Sequence, residues 1–143
     1  MLVSHILQEK GRDVLSIRPD ATLQDAASVL TRHRIGALIV RGDSGKLAGI
    51  ISERDIVRAI ADKGPDALAI SVSVRMTTDV AVCQETDSIA EIMETMTRCR
   101  FRHMPVVDHG RVCGIISIGD VVKTRIDETM REAQALKEYI ATA

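Results

Sequence analysis

The chain is written twice. Asp13-Val14 recurs as Asp79-Val80, and Thr31-Arg32-His33-Arg34 as Thr97-Arg98-Cys99-Arg100, both 66 residues on. Gly49-Ile50-Ile51-Ser52 recurs as Gly114-Ile115-Ile116-Ser117, and Asp55 as Asp120, now 65 residues on. The one-residue slip falls between Val40 and Gly45, opposite Val107 to Gly110, where an exposed turn can absorb an indel. Chance does not keep order and spacing over so long a stretch. The fold must therefore be two copies of one supersecondary unit.

Each copy reads as strand, helix, strand, strand, helix. Val14 to Ile17 is a short apolar run ended by Pro19. Asp20-Ala21-Thr22 offers helix-capping chemistry, and Leu23, Ala26, Ala27 and Leu30 follow at helical spacing. Ala37 to Val40 and Leu47 to Ile51 flank a Gly-Asp-Ser-Gly turn and read as a hairpin. Ser52 then caps a helix whose expected buried face is Ile56, Val57 and Ile60, ended by Gly64-Pro65. Copy two repeats this with Val80 to Cys83, then Ile89, Ile92, Met93 and Met96, then Met104 to Val107 and Val112 to Ile116. The reading is an α/β chain of two tandem β-α-β-β-α repeats, residues 8–63 and 79–127, joined by a linker at 64–78.

The last helix runs past the repeat, as an extension over 128–143. Val122, Ile126, Met130, Ala133, Leu136 and Ile140 make a stripe on it that needs a cover. Either Leu2 to Leu7 of the same chain or a second copy, giving a homodimer, could supply one.

Composition narrows the function. Nineteen Lys and Arg stand against 20 Asp and Glu, a net charge of −1, so nucleic acid is not an expected partner. The longest apolar run is too short to span a membrane, and Met1 to Lys10 lacks the pattern of a signal peptide. Cys83, Cys99 and Cys113 are odd in number and widely spaced, which argues against a disulfide framework or a zinc site. A reducing, cytoplasmic setting is expected, with the cysteines as core fillers. Phe101 and Tyr139 are the only aromatics, so aliphatic side chains would have to grip any planar ligand. His5, His33, His103 and His109 have no nucleophile partner at a catalytic spacing, and phosphate-loop and hydrolase motifs are absent. The chain reads as a binding module, not an enzyme.

The chemistry concentrates in Gly49-Ile-Ile-Ser-Glu-Arg-Asp55 and Gly114-Ile-Ile-Ser-Ile-Gly-Asp120. In each, a strand ends in a serine that caps a helix, with a carboxylate three residues later. Helix-start N–H groups and the serine hydroxyl suit a phosphate, and a first-turn aspartate can accept from ribose hydroxyls. The same spacing is also an ordinary capping box. Sequence leaves both readings open.

The pattern Gly-h-h-Ser-x-x-Asp after a hairpin, twice in one chain, resembles a pair of cystathionine-β-synthase (CBS) domains. Arg102-His103-Met104-Pro105-Val106-Val107 adds to the resemblance, which covers about residues 8–127. It implies a module with pseudo-twofold symmetry and clefts between the copies, binding AMP, ADP, ATP, NAD(H) or S-adenosylmethionine. By the same resemblance, Asp55 and Asp120 would hold riboses, and Ser52 and Ser117 would meet phosphates. Gly36, Ala37, Leu38 and Ile39, with Arg102, His103, Met104 and Pro105, would flank the bases. Ser16, Ile17 and Cys83 would offer backbone contacts to the adenine edge. The copies differ: Arg54 could pair with a phosphate, whereas Gly119 lets the backbone approach a ligand. Unequal sites are expected, the Asp120 site being the more complete. The rival reading is a structural dimerisation module with vestigial, empty clefts.

Overall fold

The computed structural model describes residues 1–142. In chain order its elements are α1 (Val3–Lys10), β1 (Ser16–Ile17), α2 (Leu23–His33), β2 (Ala37–Arg41), β3 (Leu47–Ser52) and α3 (Glu53–Lys63). A 3-10 segment (Gly64–Ala69), α4 (Val72–Arg75), α5 (Ile89–Cys99), β4 (His103–Asp108), β5 (Arg111–Ser117) and α6 (Ile118–Thr142) follow. Two compact units result. One comprises Asp13–Ala81 with the hairpin tip His109–Val112; the other comprises Met1–Arg12, Val82–Asp108 and Cys113 onward.

In the first unit β1 runs parallel to β2, with Ser16 opposite Ile39, and β2 runs antiparallel to β3, with Leu38 opposite Ile51. Thr22 and Asp25 form a capping box at the start of α2, and Arg34, in the left-handed region at φ 54°, ends it. Leu23, Ala26 and Leu30 meet Leu38, Val40 and Ile51 of the sheet and Ile56 and Ala59 of α3. Here the sequence reading of α3 needs correction. Val57 is 65% exposed and Ile60 43%; the buried pair is Ile56 and Ala59. The 3-10 segment packs against α3, and its Ala67 shares a core with Ile56 and Ala59. Gly64 does end the helix, at φ 66°. The connector at 64–78 is itself structured, with Ala67 and Val72 fully buried in this core.

In the second unit β4 and β5 form a two-stranded sheet. The strand expected over Val80 to Cys83 reduces to one parallel bridge between Cys83 and Val106. Ile89, Ile92 and Met96 of α5 pack with Met104, Val106, Ile116 and Val121. The remaining core members are Cys83 and, from α1, Val3, Ile6 and Leu7.

The lead-in segments are exchanged between the copies. Val3 and Ser4 N–H groups donate to the Asp87 and Glu85 carbonyls, and Ile89 N–H to Met1, at 2.9–3.0 Å. Val72 and Ser73 N–H groups donate likewise to Ala21 and Pro19, and Leu23 N–H to Ile70, at 2.7–2.9 Å. Asp87 and Glu85 are the repeat counterparts of Ala21 and Pro19. So the segment preceding copy one completes copy two, and the segment preceding copy two completes copy one. The twice-written glycines accommodate these segments. A Cβ on Gly49 would lie 2.6 Å from the Thr77 carbonyl oxygen, and one on Gly114 would lie 2.7 Å from Leu7 Cδ2.

Candidate functional site

The strand order brings each Ser-Asp helix start beside the first residues of the middle strand. In copy one the Glu53 N–H donates to the Gly36 carbonyl at 3.0 Å; in copy two the Ile118 N–H donates to Arg102 at 2.8 Å. Gly36 and Ala37 thus neighbour Ser52 to Asp55, and Arg102 and His103 neighbour Ser117 to Asp120. This much of the expected grouping is present within each unit.

Both helix starts are full capping boxes. Asp55 Oδ2 accepts from the Ser52 N–H at 2.9 Å and from its hydroxyl at 3.0 Å, while the Asp55 N–H donates to Ser52 Oγ at 3.3 Å. Asp120 Oδ2 accepts from the Ser117 N–H at 2.8 Å, and the Asp120 N–H donates to Ser117 Oγ at 3.1 Å. Every one of these bonds to a carboxylate falls on Oδ2. Oδ1 of each aspartate makes none among the described residues, so the cap uses one oxygen of each carboxylate.

The copies differ in charge at this point. Lys10, at the end of α1, donates to Asp120 Oδ2 at 2.7 Å. Lys10 thus meets the candidate carboxylate, and Arg12 pairs with Glu85 at 2.6 Å. No sequence motif could place Lys10 there, because the exchange of α1 does so. Copy one has no such lysine; Arg54 stands exposed in the first turn of α3. Gly119 is exposed, and a Cβ there would meet only Ser117 Oγ, at 3.6 Å. Protein packing does not require that glycine, which keeps the helix start open.

Burial pushes the Asp120 carboxyl up, but the Lys10 hydrogen bond and charge and the Ser117 N–H and hydroxyl outweigh it. The net position is below the ordinary carboxylate value. Because the folded value lies below the unfolded one, the stabilisation is present above the ordinary carboxylate range. It fades as pH falls through the folded value. Lys10→Met should move the Asp120 titration upward, read by carbon NMR of its carboxyl, and flatten the acid-side loss of stability. An unmoved titration would show that the ion pair does not form in solution.

Strand alternation sorts the remaining expected residues. Leu38 and Val40 face the core of copy one, as Met104 and Val106 face that of copy two. Leu38 and Met104 are therefore core residues and cannot share a ligand wall with their neighbours. Ala37, Ile39, His103 and Pro105 lie on the opposite faces of the strands. Cys83 also needs correction. Its N–H donates to the Pro105 carbonyl at 3.0 Å and its carbonyl accepts from Val107 at 2.8 Å, so its edge is taken by β4. Burial pushes its thiol up to about 12, which makes it inert. Ser16 and Ile17 lie beside β2, which bonds β1 through the Leu15 carbonyl; β1 is the edge strand of its sheet, and Ser16 is exposed.

Among the described residues no group of three or more His, Cys, Asp and Glu side chains is placed to hold a metal ion. Among the described residues no helix is long and apolar enough to cross a membrane.

Comparison with known proteins agrees with this architecture. The CBS domain model matches residues 3–62 and again 70–127. A CBS-domain containing protein of Agrobacterium tumefaciens has a similar structure, with TM-score 0.86 and 48% identity over 87% of this chain and 99% of that one. A mitochondrial CBS domain-containing protein of Arabidopsis thaliana is 36% identical over 96% of this chain and 71% of its own. A CBS domain pair solved with 5′-methylthioadenosine and S-adenosyl-L-methionine matches with TM-score 0.79 and 26% identity, over 90% of this chain and 98% of that one. With two matched repeats, their shared α/β elements and a long C-terminal helix, the chain belongs to the CBS-domain family, as a tandem pair.

Proposed function

We propose that the protein is a non-catalytic regulatory module that binds an adenine nucleotide at the Ser-Asp helix starts and works as a homodimer. The observation that carries the ligand reading is the half-used carboxylate, found in both copies. Oδ2 is committed to the cap, whereas Oδ1 makes no hydrogen bond among the described residues. The adenosine-type ligands of the solved CBS pair support the same class of ligand. Arg54, exposed in the first turn of α3, supplies positive charge in copy one that favours AMP, ADP, ATP or NAD(H) over an uncharged nucleoside, whereas Lys10 in copy two already pairs with Asp120. An AMP-sized ligand has roughly 23 heavy atoms. At about 0.3 kcal/mol each, its dissociation constant would be near 10 μM, suited to sensing a cellular pool. The three cysteines are unpaired, in keeping with a reducing compartment such as the cytoplasm.

A thermal-shift series with AMP, ATP, NAD and S-adenosylmethionine tests this reading. A ligand at a hundred times its dissociation constant should contribute about 2.7 kcal/mol, a rise of several degrees. No shift with any of them at millimolar concentration would leave the rival, a structural module. The complete capping boxes at Ser52 and Ser117 are the observation in that rival's favour.

A further inference from the structure

The last helix carries a seam that this chain does not cover. Its root is held: Val121 is buried beside α1, and the Met1 amine pairs with Glu128 at 2.9 Å. Leu2 to Leu7 thus cover only the root. Beyond it Ile126, Met130, Leu136 and Ile140 are 54% to 66% exposed. A shallow groove of about 210 Å³, lined by Met93, Val122, Ile126 and Met130 among others, continues the same apolar surface onto α5.

The spacing along the seam alternates steps of three and four. Ile126, Ala133 and Ile140 fall at heptad a positions, and Val122, Thr129 and Leu136 at d positions. The flanking e positions are Lys123, Met130 and Lys137; the g positions are Arg125, Glu132 and Tyr139. These flanks distinguish the two ways of pairing the helix with itself. In a parallel pair each g residue faces the next e residue of its mate, so Glu132 meets Lys137 of the second copy, twice by symmetry. In a fully overlapped antiparallel pair, Ile126 lies over Leu136 and Val122 over Ile140. Glu132 then faces Glu132, and Lys123 faces Lys137. The charges favour the first arrangement and oppose the second. Two heptads would be short for a free peptide, but this helix is already nucleated by its buried root.

From this we infer that the Ile126 to Ile140 seam is a parallel coiled-coil contact with a second copy of this chain. The inference rests on the homodimer reading above and gives it a surface and an orientation.

Sedimentation equilibrium of the full-length chain tests it, with circular dichroism melting to check that each variant is folded. Leu136→Asp with Ile140→Asp should weaken the dimer by more than about a hundredfold. Lys137→Glu should weaken it about fivefold or more, and adding Glu132→Lys should restore it. In a Cys99→Ser background, Ile140→Cys should form a covalent dimer on mild oxidation, since only the parallel pair places residue 140 against itself. A wild-type chain that stays monomeric at tens of micromolar would overturn both the homodimer reading and this seam. A dimer indifferent to the double aspartate variant would overturn the seam while leaving the homodimer. Tightening by Lys137→Glu, or no cross-link at residue 140, would overturn the parallel orientation.

Discussion

Gly49→Ala should destabilise the protein by about 2–3 kcal/mol, seen as a lower urea midpoint with an unchanged slope. The added Cβ would sit 2.6 Å from the Thr77 carbonyl oxygen and 2.9 Å from Met76 Sδ. Thr77 is not free to retreat, because its carbonyl accepts from the Ile50 N–H at 3.0 Å and its own N–H donates back at 2.9 Å. Gly114→Ala presents a different obstacle. There the neighbour is the end of the Leu7 side chain, which can rotate, so a loss of about 1 kcal/mol is expected. The contrast is the test. Equal losses would mean that the backbone beside Gly49 yields as readily as a leucine tip. Either way, the glycine of the twice-written motif is tied to packing, and the serine and aspartate to the helix cap.

Asp120→Ala should weaken AMP binding at least tenfold by titration calorimetry, with about 1 kcal/mol lost from stability. The binding loss follows from removing charge-assisted bonds to ribose hydroxyls, worth about 1.5–3 kcal/mol each. The stability loss is that of a first-turn residue in a helix cap. The two losses separate the rival readings, since a carboxylate that serves only the cap would alter stability and leave binding alone. Asp55→Ala provides the internal comparison. Its site lacks the Lys10 ion pair and carries Arg54 instead, so its effect should be on a second, distinguishable binding event.

Much of the fold was legible because repetition doubles every signal. The helix starts at Thr22, Ser52 and Ser117, the hairpins and the Gly64 stop can be read from local chemistry acting within a few residues. What could not be read depends on distant partners. Val57 and Ile60 look like core by spacing, but the folded chain buries Ile56 and Ala59 in their place. Leu38 and Met104 look like ligand walls because they adjoin residues that face the other way. The Cys83 edge appears available until β4 is seen to occupy it. Lys10 reaches Asp120 across 110 positions, a pairing that periodicity cannot announce.

The crossing of lead-in segments bears on how such a chain could have arisen. A polypeptide cut at the boundary the eye finds, near residue 69, would carry α1 with its partner surface gone. It would also expose the bare edge where Ser71 bridges Thr22 and Val72 is buried. A single repeat standing alone would leave both uncovered, so each missing leader would have to come from a second copy.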